Sequence, residues 1–206
     1  MKKSIFTFAL GIFLQLTYAQ DIPQLPTSII VTGGLNLASL AYNDYFLATD
    51  VNPGFSGGAM LRTDGDIFVL TGLQYVQANP TMADKANVQS DKVSLQFLQL
   101  PLMFGIHILK SPDYKRTLHA QLGASLSTLL SVSSNSLGIS KETINNTVFN
   151  FKLGIGTDLG RFTVDINYNM LISHLYNVAG YNNRAKLKCF EFMVGYKINL
   201  GKKGED

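Results

Sequence analysis

The chain has 206 residues, 46% of them hydrophobic, with 17 Lys and Arg against 14 Asp and Glu for a formal net charge of +3. A positive mean hydropathy of +0.13 excludes a solvated, disordered polymer. The nearly balanced charge carries no basic stripe or arginine cluster, so no nucleic-acid partner is expected.

The first element in chain order sets the compartment. Met1-Lys2-Lys3-Ser4 is a short basic segment, Ile5 to Leu16 is apolar except for Thr7, Gly11 and Gln15, and Thr17-Tyr18-Ala19 offers small residues at −3 and −1. This is the plan of a secretory signal peptide, residues 1–19, too short to span as a transmembrane helix. A single domain over residues 20–206 is expected to follow. Losing residues 1–19 removes two lysines and no acids, which leaves fifteen basic against fourteen acidic residues and lowers the charge to +1. Cys189 is the only cysteine, so no internal disulfide forms despite the oxidising route. No second apolar run reaches the roughly 20 residues of a membrane helix.

Eight strands are expected after the leader. Ile29-Val31-Gly33-Leu35-Leu37 lies within the first, Phe55 to Leu61 within a short second, and Ile67 to Tyr75 within the third. The fourth carries Leu98, Leu100, Leu102, Phe104, Ile106 and Ile108 on one face. Its start, Val93-Leu95-Phe97, is apolar in the opposite register, and Pro101 removes a ladder hydrogen bond; a β-bulge near Phe97 would reconcile both. Leu118 to Leu126, Phe149 to Leu159 and Phe162 to Met170 then alternate apolar with polar. The last strand is the cleanest, with Phe190, Phe192, Val194, Tyr196, Ile198 and Leu200 alternating over eleven residues. Period-two alternation of that length matches a tilted membrane-spanning strand of about 9–11 residues.

The connections alternate in length. Residues 43–53, 79–92, 131–147 and 173–185 are long and polar, while Thr63 to Asp66, Lys110 to Arg116 and Gly160-Arg161 are short. Asp64-Gly65 is a hairpin signal, since tight turns need positive φ. Long–short alternation belongs to an up-and-down meander with all long loops on one side, as in outer-membrane barrels. The apolar register of the eight strands holds no Asp, Glu, Lys or Arg. The other register holds Arg62, Lys152, Asp158, Asp165, Glu191 and Lys197 among Gln, Asn, Ser and Gly. A charge on a lipid face near the midplane costs about 2–4 kcal/mol, so the apolar register is expected outside. The fold class read here is all-β: an eight-stranded antiparallel up-and-down transmembrane β-barrel in the outer membrane, with a soluble lipocalin-like carrier as the rival. Tyr42, Tyr75, Tyr168 and Tyr196 are candidates for interfacial girdles.

Several short motifs resemble the PorT-like outer-membrane β-barrel group of Bacteroidetes. They are Gly33-Gly34-Leu35-Asn36, Gly72-Leu73-Gln74-Tyr75, Leu98-Gln99-Leu100-Pro101-Leu102, Gly154-Ile155-Gly156 and Val194-Gly195-Tyr196-Lys197-Ile198, in an order and spacing that cover roughly residues 30–200. The resemblance implies an eight-stranded outer-membrane barrel. It also implies envelope or secretion proteins as partners, because the group's namesake is linked to protein export.

An eight-stranded barrel has an interior that side chains fill. Lys152, Asp165, Glu191 and Lys197 face inward on this register and are expected to form a neutralising polar network. Tyr45, Tyr176 and Tyr181 are candidate contact residues of the long loops, where binding commonly resides. His119, Ser125 and Ser127 suggest hydrolase chemistry, but Ser125 lies six residues along the same strand, about 20 Å away, and His107 and His174 stand in no motif. Three scattered histidines and one Cys show no metal-ligand spacing. No catalytic residues, metal or cofactor are therefore assigned, and outer-membrane lipid is the expected surrounding. The expected role is structural or interactive, with a secretion accessory or a lipid-modifying enzyme as alternatives. Intact-mass measurement of the exported protein should give a chain starting at Gln20; a mass that retains residues 1–19 would contradict the leader.

Overall fold

Alternating residues force the chain into two-faced strands, and the computed structural model shows how they close. The described residues are 27–41, 49–63, 65–84, 89–112, 115–176 and 186–200; the expected leader lies outside them. In chain order the strands are β1 (Thr27–Ala41), β2 (Thr49–Thr63), β3 (Ile67–Ala78), β4 (Thr81–Asp84), β5 (Gln89–Lys92), β6 (Leu95–Lys110), β7 (Arg116–Val132), β8 (Thr147–Leu159), β9 (Phe162–Leu171) and β10 (Lys186–Asn199). Eight of them close a barrel in the order β1-β10-β9-β8-β7-β6-β3-β2, and β4-β5 is a separate hairpin. All pairings are antiparallel, and β1 seals against β10 from Ser28↔Asn199 to Ala41↔Lys186. This is the expected meander. A closed ring satisfies every ladder hydrogen bond within the wall, which is what allows strands to stand in hydrocarbon.

The two faces are inverted relative to a soluble barrel. Along β10 Leu187, Cys189, Glu191, Met193 and Gly195 are buried, while Phe190, Phe192, Val194, Tyr196 and Ile198 are exposed. Along β8 the buried set is Val148, Asn150, Lys152, Gly154, Gly156 and Asp158, against exposed Phe149, Leu153, Ile155 and Leu159. Leu, Ile, Phe and Val remain about half exposed around the ring (Leu122 55%, Phe104 53%, Ile155 48%, Leu73 54%). An apolar belt of that extent is a lipid surface and not one for water. No described helix is long and apolar enough to cross a membrane; the strands do it. Aromatic pairs decorate the belt: Tyr196 meets Phe162 edge-on beside the Gly160-Arg161 turn, and Tyr168–Phe190 and Tyr75–Phe55 lie toward the long connections. Arg161 donates to the Tyr196 hydroxyl at 3.2 Å, an arrangement suited to the interface. Gly160 takes φ +65° in that turn, a conformation L-residues avoid.

Four sequence expectations change. The second strand is not short: β2 runs for 15 residues and absorbs residues 49–53, expected in a loop. The 79–92 connection contains the β4-β5 hairpin. β7 extends to Val132, past the start of the expected 131–147 loop. The fourth strand does not slip its register: odd residues from Leu95 to Gly105 all face inward. Val93, Leu95 and Phe97 are apolar because the lumen itself is apolar at the long-connection end. An irregularity does occur in the β6–β7 pairing, where Gln96↔Ser131 is followed by Phe97↔Leu129, so the extra residue, Leu130, belongs to β7. Pro101 keeps its inward place and its carbonyl accepts the Thr71 hydroxyl at 2.9 Å.

Placing a charge on the outer face should show its solvent directly. Ile155→Arg is expected to cost about 2–4 kcal/mol in urea unfolding from lipid vesicles; a neutral result would contradict a lipid-facing wall.

Candidate functional site

Inward residues stack into layers along the lumen. At the long-connection end the layer is apolar: Leu40, Val76, Leu95, Phe97, Leu129, Leu171 and Leu187 from the wall meet Met82 of β4 and Ile139, Ile144, Leu175 and Tyr176 from the connections. These side chains form one buried apolar cluster at that end of the lumen. Above them the connections are tied together by polar contacts. Asp91 Oδ2 accepts from the Ser136 backbone N–H at 2.7 Å and from its hydroxyl at 2.8 Å. These bonds, followed by the Lys92 N–H, hold the Asp91 carboxyl below its ordinary pKa. Asn135 Oδ1 accepts from the N–H groups of Leu137 and Ile139, and Asn145 Nδ2 donates to the His174 and Tyr176 carbonyls.

Below the apolar layer lies an amide and hydroxyl layer. Gln99 Nε2 donates to Ser125 and Ser127 at 2.8 and 3.0 Å, and Asn150 Nδ2 donates to Ser127 at 2.8 Å. The next layer is an ion pair. Lys152 Nζ lies 3.0 Å from Glu191 Oε2, and their side chains are 4% and 0% exposed. The ammonium also donates to Gln74 Oε1 at 3.0 Å and Gln99 Oε1 at 3.2 Å. Glu191 Oε1 accepts from Ser56 and Gln74. A buried charge without such partners would be costly; here each charge has several.

The layer nearest the short turns is built across β8. Gly156 lies opposite His119 on β7 and Asp165 on β9, and Gly154 lies opposite Gln121 and Asn167. With no side chain on β8, the residues on either side meet: His119 Nε2 contacts Asp165 Oδ1 at 2.9 Å and Gln121 Nε2 donates to Asn167 at 3.0 Å. A Cβ at Gly156 would collide with both Asp165 and His119. Next to them Arg62 grips Asp158 through two bonds of 3.1 and 2.5 Å, with Lys197 Nζ 3.8 Å from the same carboxylate. A cavity of about 40 Å³ between the two charged layers touches Arg62, His119, Gln121, Lys152, Asp165 and Asn167, room for a few waters.

The four predicted lumen residues therefore divide. Lys152 and Glu191 form one pair; Asp165 and Lys197 belong to the lower cluster, where Asp165 takes His119, Gln121 and Thr163 as partners and Lys197 approaches Asp158. Arg62, Gln74, Gln99 and Asp158 carry as much of the network. They stand in the polar register of the sequence, but their partners lie far apart in the chain, as with Arg62 and Asp158. Tyr176 is corrected from a loop contact to a core residue: it is 5% exposed and its hydroxyl meets Met82 sulfur at 3.7 Å. Tyr45 and Tyr181 lie outside the described residues. Ser125 and Ser127 bond to Gln99 and Asn150, away from His119, so the apparent Ser–His pattern does not assemble. His107 and His119 do meet. The hairpin pairs Lys110 with Thr117 and Leu109 with Leu118, and an irregularity at Ile108 shifts the register so that His107 faces His119, a pairing that the spacing of the two histidines does not show.

An apolar outer wall around a paired polar lumen defines an outer-membrane β-barrel protein. Residues 18–177 match the family described as outer membrane protein beta-barrel domain, and the chain belongs to that family. The match takes in β1 to β9, and β10 completes the ring. Among solved structures, Neisserial surface protein A has a TM-score of 0.50 at 12% identity, over 82% of this chain and 97% of that one. Ail of Yersinia pestis, solved with the heparin analogue sucrose octasulfate, has 0.47 at 15% identity, over 84% and 99%. OprG of Pseudomonas aeruginosa has 0.44 at 11% identity, over 84% and 96%. At these identities the likeness concerns the fold. Comparison with curated proteins finds no match.

The central ion pair makes a quantitative prediction. Lys152→Met alone leaves Glu191 buried and unpaired and should cost about 3–5 kcal/mol. Adding Glu191→Gln should recover most of it in equilibrium unfolding from vesicles. Simple additivity of the two losses would show that the pair is not coupled.

Proposed function

We propose that this protein is a non-conducting outer-membrane barrel whose role is structural or interactive, with specificity carried by the ordered connections at its closed end. The observation that supports this is the apolar layer. Leu95, Phe97, Leu129 and Leu171 on the wall pack with Met82, Ile144 and Tyr176 of the connections, where a porin would keep a polar, water-filled mouth. Over that layer the β4-β5 hairpin and residues 133–146 are braced by Asp91, Ser136 and Asn135, so they present a defined polar surface instead of a gate. Function in such a protein belongs on the loops that the rigid wall positions.

The same arrangement favours a non-enzymatic role, since Ser125, Ser127 and His119 each serve other partners. The PorT-like kinship rests on the motif order. Within it Gly154-Ile155-Gly156 acts as a spacer, because its two glycines let β7 and β9 side chains meet. A part in envelope secretion or assembly follows from that kinship, and stable co-purification with export subunits would support it. Processing after Ala19, to a mature chain starting at Gln20, belongs to the same proposal. Planar-bilayer recording tests the closed lumen: the folded protein should add no discrete conductance steps, and reproducible open levels would overturn this function.

A further inference from the structure

His107 and His119 pair directly across the β6–β7 ladder, with ring centroids 5.9 Å apart and planes at 86°. One nitrogen of each ring is already committed. His107 Nδ1 lies 2.7 Å from the Gly65 carbonyl, and His119 Nε2 lies 2.9 Å from Asp165 Oδ1. A carbonyl and a carboxylate only accept, so in the neutral imidazole each contact places the proton on that nitrogen and leaves the lone pair on the other. Those others, His107 Nε2 and His119 Nδ1, are buried and have no hydrogen-bond partner. His119 is 1% exposed, as is Asp158. The ligand atoms of His107, His119 and Asp158, one from each, all lie within 4.8 Å of one another.

We propose that His107, His119 and Asp158 form a binding site for a divalent transition-metal ion, of the zinc class, at the short-turn mouth of the lumen. Two imidazole nitrogens with one carboxylate oxygen suit zinc, copper, nickel or iron better than magnesium or calcium, which prefer all-oxygen sets. Metal-ligating histidines characteristically donate their other N–H to a carboxylate or a backbone carbonyl, which orients the ring; Asp165 and Gly65 do this here. Asp165 is thus a positioning residue, and the bare Gly156 gives it room. Phe68 packs against both rings, at 5.1 and 5.5 Å, and shields the site. Arg62 and Lys197 share the Asp158 carboxylate. They hold it in place, and their charge moderates the affinity. Around zinc at about 2.0–2.1 Å the three atoms draw closer together, which makes the ion a clip across β6, β7 and β8, with a fourth position left for water.

The test uses tag-free full-length protein, folded in detergent and stripped with chelator. Calorimetry with Zn²⁺ should show one saturable site per barrel, and Co²⁺ should give the visible absorption of a nitrogen- and oxygen-ligated ion. His107→Ala and His119→Ala should each weaken binding at least tenfold, Asp165→Asn by about 10–100-fold, and His174→Ala, in a long connection, should leave it unchanged. Heat-modified gel mobility identifies folded variants, and His107→Gln or His119→Gln replaces the corresponding alanine variant where that one fails to fold. Absence of saturable Zn²⁺ or Co²⁺ binding, or binding that survives both histidine substitutions in folded protein, would overturn the site.

Discussion

Eight strands closed into a ring leave an interior that only side chains can fill. The charges that the alternation turns inward must therefore find their partners among the other inward groups. Lipid outside excludes charged residues from one register, and the narrow lumen makes an unpaired charge costly in the other. The remainder of the structure answers these two demands. Lys152 pairs with Glu191, Arg62 and Lys197 share Asp158, and Asp165 is met by His119, Gln121 and Thr163. The Gln99 amide links the hydroxyl layer to the ion pair, Gln74 braces that pair, and Gln121 bonds Asn167 within the lowest layer. Where the lumen leaves the membrane at the long-connection end, leucines replace the polar groups and the connections fold onto them.

Glycine solves the remaining geometrical problem. Inward side chains on adjacent strands compete for the same space, and β8 gives way: at Gly154 and Gly156 its missing side chains let β7 and β9 touch. The His119–Asp165 contact and the Gln121–Asn167 contact both cross at those positions. The consequence for function is that a short, otherwise weak motif becomes the spacer on which the lower polar cluster depends. The proposed metal site inherits its orientation from the same spacing, because Asp165 reaches His119 only over a bare Gly156.

Much of the fold is legible in the amino-acid order. Period-two alternation in 190–200, 149–159 and 162–170, together with long–short connection lengths, carries the strand number, the meander and the inward register of Lys152, Asp165, Glu191 and Lys197. What alternation cannot show is which inward residues meet. Arg62 and Asp158 are 96 positions apart in sequence, and their contact depends on how far the strands shear around the ring. Leu95 and Phe97 imitate a register error because a two-face reading assumes a polar lumen throughout. Tyr176 is misplaced by such a reading because a polar connection can still bury one ring when it folds back over a barrel mouth. His107 and His119 are not separable from noise in the sequence, because an irregularity at Ile108 is what sets them opposite each other.

Inversion of the wall, apolar outward and polar inward, underlies everything else, and a spin-label scan along β10 in lipid vesicles tests it most directly. In a Cys189→Ala background, labels at Phe190, Phe192, Val194 and Tyr196 should be relaxed strongly by dissolved oxygen and weakly by an aqueous nickel chelate, while a label at Met193 should be sheltered from both. If the labels at Phe192 and Val194 respond to the aqueous reagent as strongly as to oxygen, that face meets water and the barrel is not built as described.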